Sequence, residues 1–256
     1  SIGLFTYYYD IRMLKILLLG AISGFPWVII GSSLSLWLKE EGLSRSTIGW
    51  AGLIFAVYAF NYLWAPLIDK LRIPYLTKKF GHRRSWIILM QSVILICLFL
   101  WSLMEPTKNL SLVIFVGLII AIASSTQDIT VDALRIEQIG ENENKSMAAG
   151  AAMAVVGWWT GYKVGGVISL FAADIFQKIG INNYWQLTFL LLFFLVILMN
   201  IGLLFIEESD NFHRLEKQTK NQLAIKNKIG SGSIYSEVIS WIMETIGGPV
   251  ISFFKK

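Results

Sequence analysis

Charge is scarce in this chain. Asp, Glu, Lys and Arg make up 15% of its 256 residues, against about 25% in a soluble globular protein. That deficit excludes an ordinary water-soluble domain. Cysteine is almost missing as well. The single Cys97 lies in an apolar run, so no internal disulfide is possible and no thiolate metal framework is suggested. His82 and His213 stand apart in polar segments, without the spacing of metal ligands. A Gly-rich phosphate loop and a nucleophile elbow are both missing from the sequence. No cofactor and no metal are therefore expected.

What remains is apolar. Hydrophobic residues reach 55% and mean hydropathy is +0.60, which places the chain in the membrane class. The net charge of +5 would suggest nucleic acid in a soluble protein. Here the excess of Lys and Arg on one side of a membrane accounts for it, and no nucleic-acid partner is expected.

Runs long enough to span a bilayer read at about 13–38, 47–68, 85–104, 110–139, 146–173 and 184–206. The expected fold is an all-α membrane protein with a six-helix transmembrane bundle over 1–206. The first run is too long for the core of a cleaved signal peptide and has no small-residue cleavage site. Gly20, Gly24 and Pro26 interrupt it, as membrane helices tolerate. The second span is rich in aromatics, among them Trp50, Tyr58 and Trp64, read as lipid-facing or packing residues. Lys and Arg gather at the N-terminus, between the second and third spans, between the fourth and fifth, and in the tail, so both ends are expected in the cytoplasm. Residues 207–256 read as a cytoplasmic linker, with a Gly-Ser-Gly-Ser stretch at Gly230 to Ser233. From Ile234 onward, apolar residues at helical spacing suggest an amphipathic segment on the membrane surface, or else a soluble linker helix. A first residue of serine and an end in mid-pattern suggest a piece of a longer protein.

The chemistry concentrates in Ser124-Ser-Thr-Gln-Asp-Ile-Thr-Val-Asp-Ala-Leu-Arg135. At about 100° per residue, Asp128, Asp132 and Arg135 fall within roughly 60° on one helical face. An ionisable group at the bilayer centre costs on the order of 2.5–3.5 kcal/mol on insertion scales. Such a cluster faces a partner or a water-filled cavity, as in a transport pathway. Gln127 beside it could hydrogen-bond a sugar or an amide. Lys163 sits in the middle of the fifth span, too far from either end to snorkel. It calls for a carboxylate partner, with Asp128 or Asp132 the candidates, or else a water-filled cavity. Gly157, Gly161 and Gly165 recur every four residues and would let helix backbones approach closely; direct substrate contact is the other reading. Asp69, at the end of the second span, and Arg83 and Arg84, at the start of the third, could form a cytoplasmic latch that pairs in one state and opens in another. Their loop equally obeys the positive-inside rule.

Two carboxylates in a membrane could also mark an aspartyl protease. Such a pair faces its substrate from two helices, whereas Asp128 and Asp132 share one and are followed by a basic residue. A proton or ion-pair relay fits better, and no enzyme is expected. A sensor or scaffold would call for a signalling domain after Ile206, where only a short linker-like tail follows.

Several motifs resemble a known family. Ala65-Pro-Leu-Ile-Asp69 followed by Gly81-His-Arg-Arg84 is similar to the loop between the second and third helices of the major facilitator superfamily, with alanine for the usual glycine and an insertion of about eight residues. Both departures resemble the AmpG-type muropeptide permeases. So do Leu63-Trp-Ala-Pro-Leu-Ile-Asp69, Pro74-Tyr-Leu, Gly81-His-Arg-Arg-Ser-Trp86, Ser125-Thr-Gln-Asp-Ile-Thr-Val-Asp132 and Gly161-Tyr-Lys-Val-Gly165. That family usually has Arg where Lys163 stands. The resemblance implies a proton-coupled importer of anhydromuropeptides in the inner membrane, serving cell-wall recycling. This chain would be its N-terminal half, with a missing C-terminal half as partner and inverted three-helix repeats inside it. Transporters of acetyl-CoA and siderophores are similar in the same segments.

Overall fold

The first long apolar run becomes one rod with a flaw near its middle. Asp10 starts it as an N-cap, accepting a hydrogen bond from the Arg12 amide at 3.0 Å. Helix α1 (Ile11–Trp27) contains Pro26, and a π-helical stretch, Val28–Ser33, leads into α2 (Leu34–Glu40). A proline inside a helix removes one amide donor and disturbs the turn before it. In this computed structural model, Gly3 and residues 10–71, 73, 76–139 and 144–207 are described, apart from the side chains of Asp69, Lys70 and Lys78. The linker and amphipathic segment expected beyond Glu207 lie outside the described residues.

The rest of the described chain is helical, with no strand among those residues. Helix α3 (Ser44–Phe60) passes through a 3₁₀ turn (Asn61–Leu63) to α4 (Ala65–Lys70), which begins with Pro66 in its first turn, where proline's fixed φ suits a helix start. Short α5 (Leu76–Phe80) precedes α6 (His82–Trp101). Then come α7 (Leu110–Ile139), α8 (Asn144–Lys178) and α9 (Tyr184–Leu203). Gly42 and Gly180 take φ of 79° and 91° and close α2 and α8 in the left-handed conformation that favours glycine.

Among the described residues, five stretches are long and apolar enough to cross a membrane: Ile11–Glu40, Ser44–Leu63, His82–Trp101, Leu110–Ile139 and Tyr184–Leu203. The remaining long helix, α8, has 35 residues. Its apolar character is diluted by small residues, tryptophan, tyrosine and Lys163. Packing shows its path instead. Leu17 faces Gly157, Ala21 faces Gly161, and Phe25 faces Gly165, so α8 runs parallel to α1 and alongside it. Four glycines, two on each helix (Gly20, Gly24, Gly157 and Gly161), abut backbone atoms of the other helix.

The neighbours of α1 alternate in direction. At one end Arg12 donates to the Ile139 carbonyl at 3.3 Å; at the other, Leu34 packs on Gly117. Helix α7 is therefore antiparallel to α1. Helix α9 is antiparallel too, since the Glu40 carboxylate accepts from Tyr184 (2.5 Å) and Trp185 (2.6 Å), while Leu18 meets Gly202. One end of the bundle thus gathers Arg12, Arg83, Arg84, Ile139 and Ile206. The other gathers Glu40, Trp101 and Trp185. The tightest core lies at the second end, where the Phe189 ring centroid is 5.0 Å from both Trp37 and Trp101. Helix α3 is the least enclosed, with Trp50 its only buried residue.

Candidate functional site

Helix α7 carries a run of polar side chains into the bundle, and nearly every one is answered by a neighbouring helix. Ser124, Ser125, Thr126 and Gln127 are buried. Tyr58 donates its hydroxyl to Ser124 Oγ at 2.8 Å, and the Trp64 indole donates to Thr126 Oγ1 at 3.1 Å. Gln127 Nε2 donates to the Ile22 carbonyl of α1 at 3.1 Å. One residue further on, Ser23 of α1 donates its hydroxyl to the Asp128 carboxylate. A buried polar group without such a partner costs about 1–3 kcal/mol, so this polar segment fixes how α1, α3 and α7 sit together.

Asp128 is half-buried. At 1.5 Å rise per residue it lies about 16 Å along the helix from Ile139, well inside the span. Trp27 stands beside the carboxyl. Its ring centroid is 4.2 Å from Tyr58 and 6.1 Å from Trp158, and Trp158 stacks on Tyr162 at 5.5 Å. All four rings are half-buried, and a line of aromatics runs from Tyr58 of α3 through Trp27, beside the carboxylate, to Trp158 and Tyr162 of α8.

Asp132 and Arg135 come together as expected from their spacing, with Nη2 to Oδ1 at 3.8 Å and the aspartate side chain 70% exposed. Gln127 is different. Its side chain is fully buried between α1 and α7 and is not open to a ligand in this conformation.

Lys163 corrects the expectation of an ion pair. It is exposed, and among the described residues it forms no salt bridge to Asp128 or Asp132. The cause is the register of α8. Gly157, Gly161 and Gly165 turn toward α1, and at about 100° per residue Lys163 points roughly 160° away from that face. Asp128 is held on the far side of α1, against Ser23. Of the two readings of Lys163, the structure has the one without a fixed partner.

At the basic end of the bundle, α6 begins with His82, Arg83 and Arg84, an arrangement opposed by the helix dipole. The structure compensates. Arg83 Nε pairs with Glu137 of α7 at 3.4 Å, with side chains only 7% and 18% exposed. Arg84 donates to the Ile206 carbonyl at 2.5 Å and the Leu204 carbonyl at 3.5 Å, satisfying the last turn of α9. Asp69, the acidic member of the expected latch, ends α4, and its side chain lies outside the described residues.

Sequence reasoning missed Ser23, Trp27, Trp158 and Glu137. Ser23 stood between two interrupting glycines, next to Pro26, in an otherwise apolar helix, and that is a usable signal. For Glu137 there was none beyond its charge.

The chain matches the family model described as Major Facilitator Superfamily over residues 16–253. It is 34% identical over 247 residues to a Rickettsia felis protein named "Putative transporter AmpG 4", covering 96% of this chain and 53% of that one. It is 32% identical over 220 residues to the AmpG 1 protein of Rickettsia conorii, covering 85% and 51%. The anhydromuropeptide permease of Escherichia coli K12 is 32% identical over 182 residues, covering 71% and 35%. The chain thus spans about half the length, or less, of these relatives.

Proposed function

The chain belongs to the Major Facilitator Superfamily, and from that premise we propose that it forms the N-terminal six-helix half of a proton-coupled transporter importing anhydromuropeptides across the inner membrane. The observation that carries this reading is Asp128: a half-buried carboxylate deep in a membrane span, held by the Ser23 hydroxyl and the Trp27 side chain, with the Tyr58 ring against Trp27. A charge there is costly in lipid, so its open side faces water, substrate or the other half of the transporter.

Asp128 is the proton-coupling group. Protonation removes its charge and weakens the charge-assisted bond from Ser23, which frees α1 to move against α7. Lys163, exposed at mid-helix on α8, meets the carboxylates of the substrate. The Asp132–Arg135 pair lies about 6 Å nearer the basic end, counting 1.5 Å per residue from Asp128. Asp69, Arg83 and Arg84 form the cytoplasmic latch, in which Glu137 also holds Arg83. The substrate passes between this bundle and the missing half, both ends of this chain lie in the cytoplasm, and Gly157, Gly161 and Gly165 keep α8 fixed to α1 while the halves rock. The names of the relatives support the substrate class.

The test is uptake of labelled anhydromuropeptide into spheroplasts that lack their own permease and carry the whole protein, with and without a protonophore. Accumulation abolished by the protonophore, and lost in Asp128→Asn, is expected. Accumulation against a gradient by Asp128→Asn overturns its role. No uptake by protein verified in the membrane overturns the muropeptide assignment, and acetyl-CoA and siderophores are then tried in the same cells.

A further inference from the structure

In an α-helix the carbonyl of residue i accepts from the amide of residue i+4. For Ile22 that amide belongs to position 26, which is proline and has no N–H. The Ile22 carbonyl is therefore left without its backbone donor inside a span, where no water replaces it. Gln127 Nε2, fully buried on α7, donates to this carbonyl at 3.1 Å. The adjacent residue on each helix makes the next cross-link, from Ser23 to Asp128. Two consecutive rungs, Ile22 to Gln127 and Ser23 to Asp128, thus tie α1 to α7 at the site of the proline.

A second repair lies about two turns along. In the π-helical stretch the Leu34 amide reaches back to the Ile29 carbonyl, one residue further than in an α-helix, so the Ile30 carbonyl does not receive it. The Trp50 indole of α3 donates to Ile30 at 2.7 Å. Both irregular points of the first span are thus met by side chains from neighbouring spans.

We infer that Gln127 is a positioning residue, a surrogate for the amide that Pro26 lacks, and that its bond to Ile22 sets the register holding Ser23 on the Asp128 carboxylate. It acts through α1 and touches no substrate. Gln127→Met keeps the length of the side chain and removes the donor. Pro26→Ala, or Pro26→Gly as a second choice, gives position 26 an amide of its own and makes the glutamine dispensable. This pairing separates the surrogate role from substrate contact, because a proline on the other helix has no means of restoring a lost ligand contact.

The experiment uses the whole protein. Thermal unfolding is followed in detergent, and labelled muropeptide is followed both in protonophore-sensitive accumulation and in counterflow exchange. Gln127→Met is expected to lower accumulation by about tenfold, in line with one buried hydrogen bond lost, while counterflow falls less. A merely misfolded variant would lose both in proportion. Its melting temperature falls as well. Adding Pro26→Ala or Pro26→Gly restores the melting temperature and most of the accumulation. Gln127→Met with unchanged melting and uptake, or double variants no better than Gln127→Met alone, overturns the inference. The uptake arm rests on the transport reading. If no form takes up muropeptide, that reading fails, and the rescue of melting still decides the role of Gln127.

Discussion

The contact between α1 and α8 makes a sharp demand on four glycines. A methyl group added at Gly161 would sit 2.8 Å from Ala21 Cα, and one at Gly24 would sit 2.9 Å from the Trp158 carbonyl carbon. Both would press harder still on the carbonyl oxygens. Carbon atoms pack at about 3.5–4.0 Å, so either methyl forces the helices roughly 1 Å apart. A gap of that size forfeits about a quarter to a half of each dispersion contact along the seam. Overpacking of this kind costs about 1–3 kcal/mol. At about 2–4 °C per kcal/mol in a chain of this size, Gly24→Ala and Gly161→Ala should each lower the melting temperature by roughly 2–12 °C. Gly166 on the same helix has nothing within 4 Å of its added methyl. Gly166→Ala should leave melting unchanged or raise it slightly, because alanine favours the helix by about 0.5–1 kcal/mol. The assay is thermal unfolding of the whole protein in detergent, with the three variants in parallel. If Gly24→Ala and Gly161→Ala melt with Gly166→Ala, the backbone-to-backbone seam does not exist as described.

Three further outcomes follow from the geometry. Glu137→Gln removes the carboxylate charge that faces Arg83, only 7% exposed, and should cost about 1–3 kcal/mol in unfolding. Trp50→Phe keeps a ring at a site 1% exposed but removes the indole donor to the Ile30 carbonyl, for a loss of about 1–3 kcal/mol in the same melt. Asp10 has its carboxyl below the usual range, chiefly through the hydrogen bond from the Arg12 side chain, so its folded value is the depressed one. Its stabilising effect should be complete above the ordinary carboxylate value of about 3.9 and fade as pH falls through the lower folded value. The melting difference between the native protein and Asp10→Ala, on the order of 1 kcal/mol or less, should therefore be flat from pH 7 to about 4 and shrink below that.

Much of the architecture is legible in the sequence. Length and apolar content mark the long helices, because a span needs about 20 apolar residues and a bilayer leaves no backbone group unpaired. Leu110–Ile139 and Ile11–Glu40 follow from that rule alone. The Gly157, Gly161 and Gly165 spacing marks one face of α8, and the i,i+3 spacing brings Asp132 and Arg135 to 3.8 Å. These are properties of a single helix, and a single helix is what periodicity describes.

The partners between helices were not legible. Lys163 and Asp128 look complementary on paper, yet the glycine seam decides the rotation of α8 and carries Lys163 to the exposed side. Arg83 also meets Glu137, 54 residues away, a partner to which nearness in sequence did not point. Gln127 read as a substrate contact until Pro26 on another helix was found to need its amide. The sequence by itself determined which stretches are long and apolar enough to cross a membrane and which of their residues are too polar to face lipid, since those follow from transfer free energies residue by residue. Only the tertiary structure decided which of those polar groups satisfy one another and which stay open, because that depends on helix rotation and register, set by close packing at glycines against a partner helix far away in the sequence.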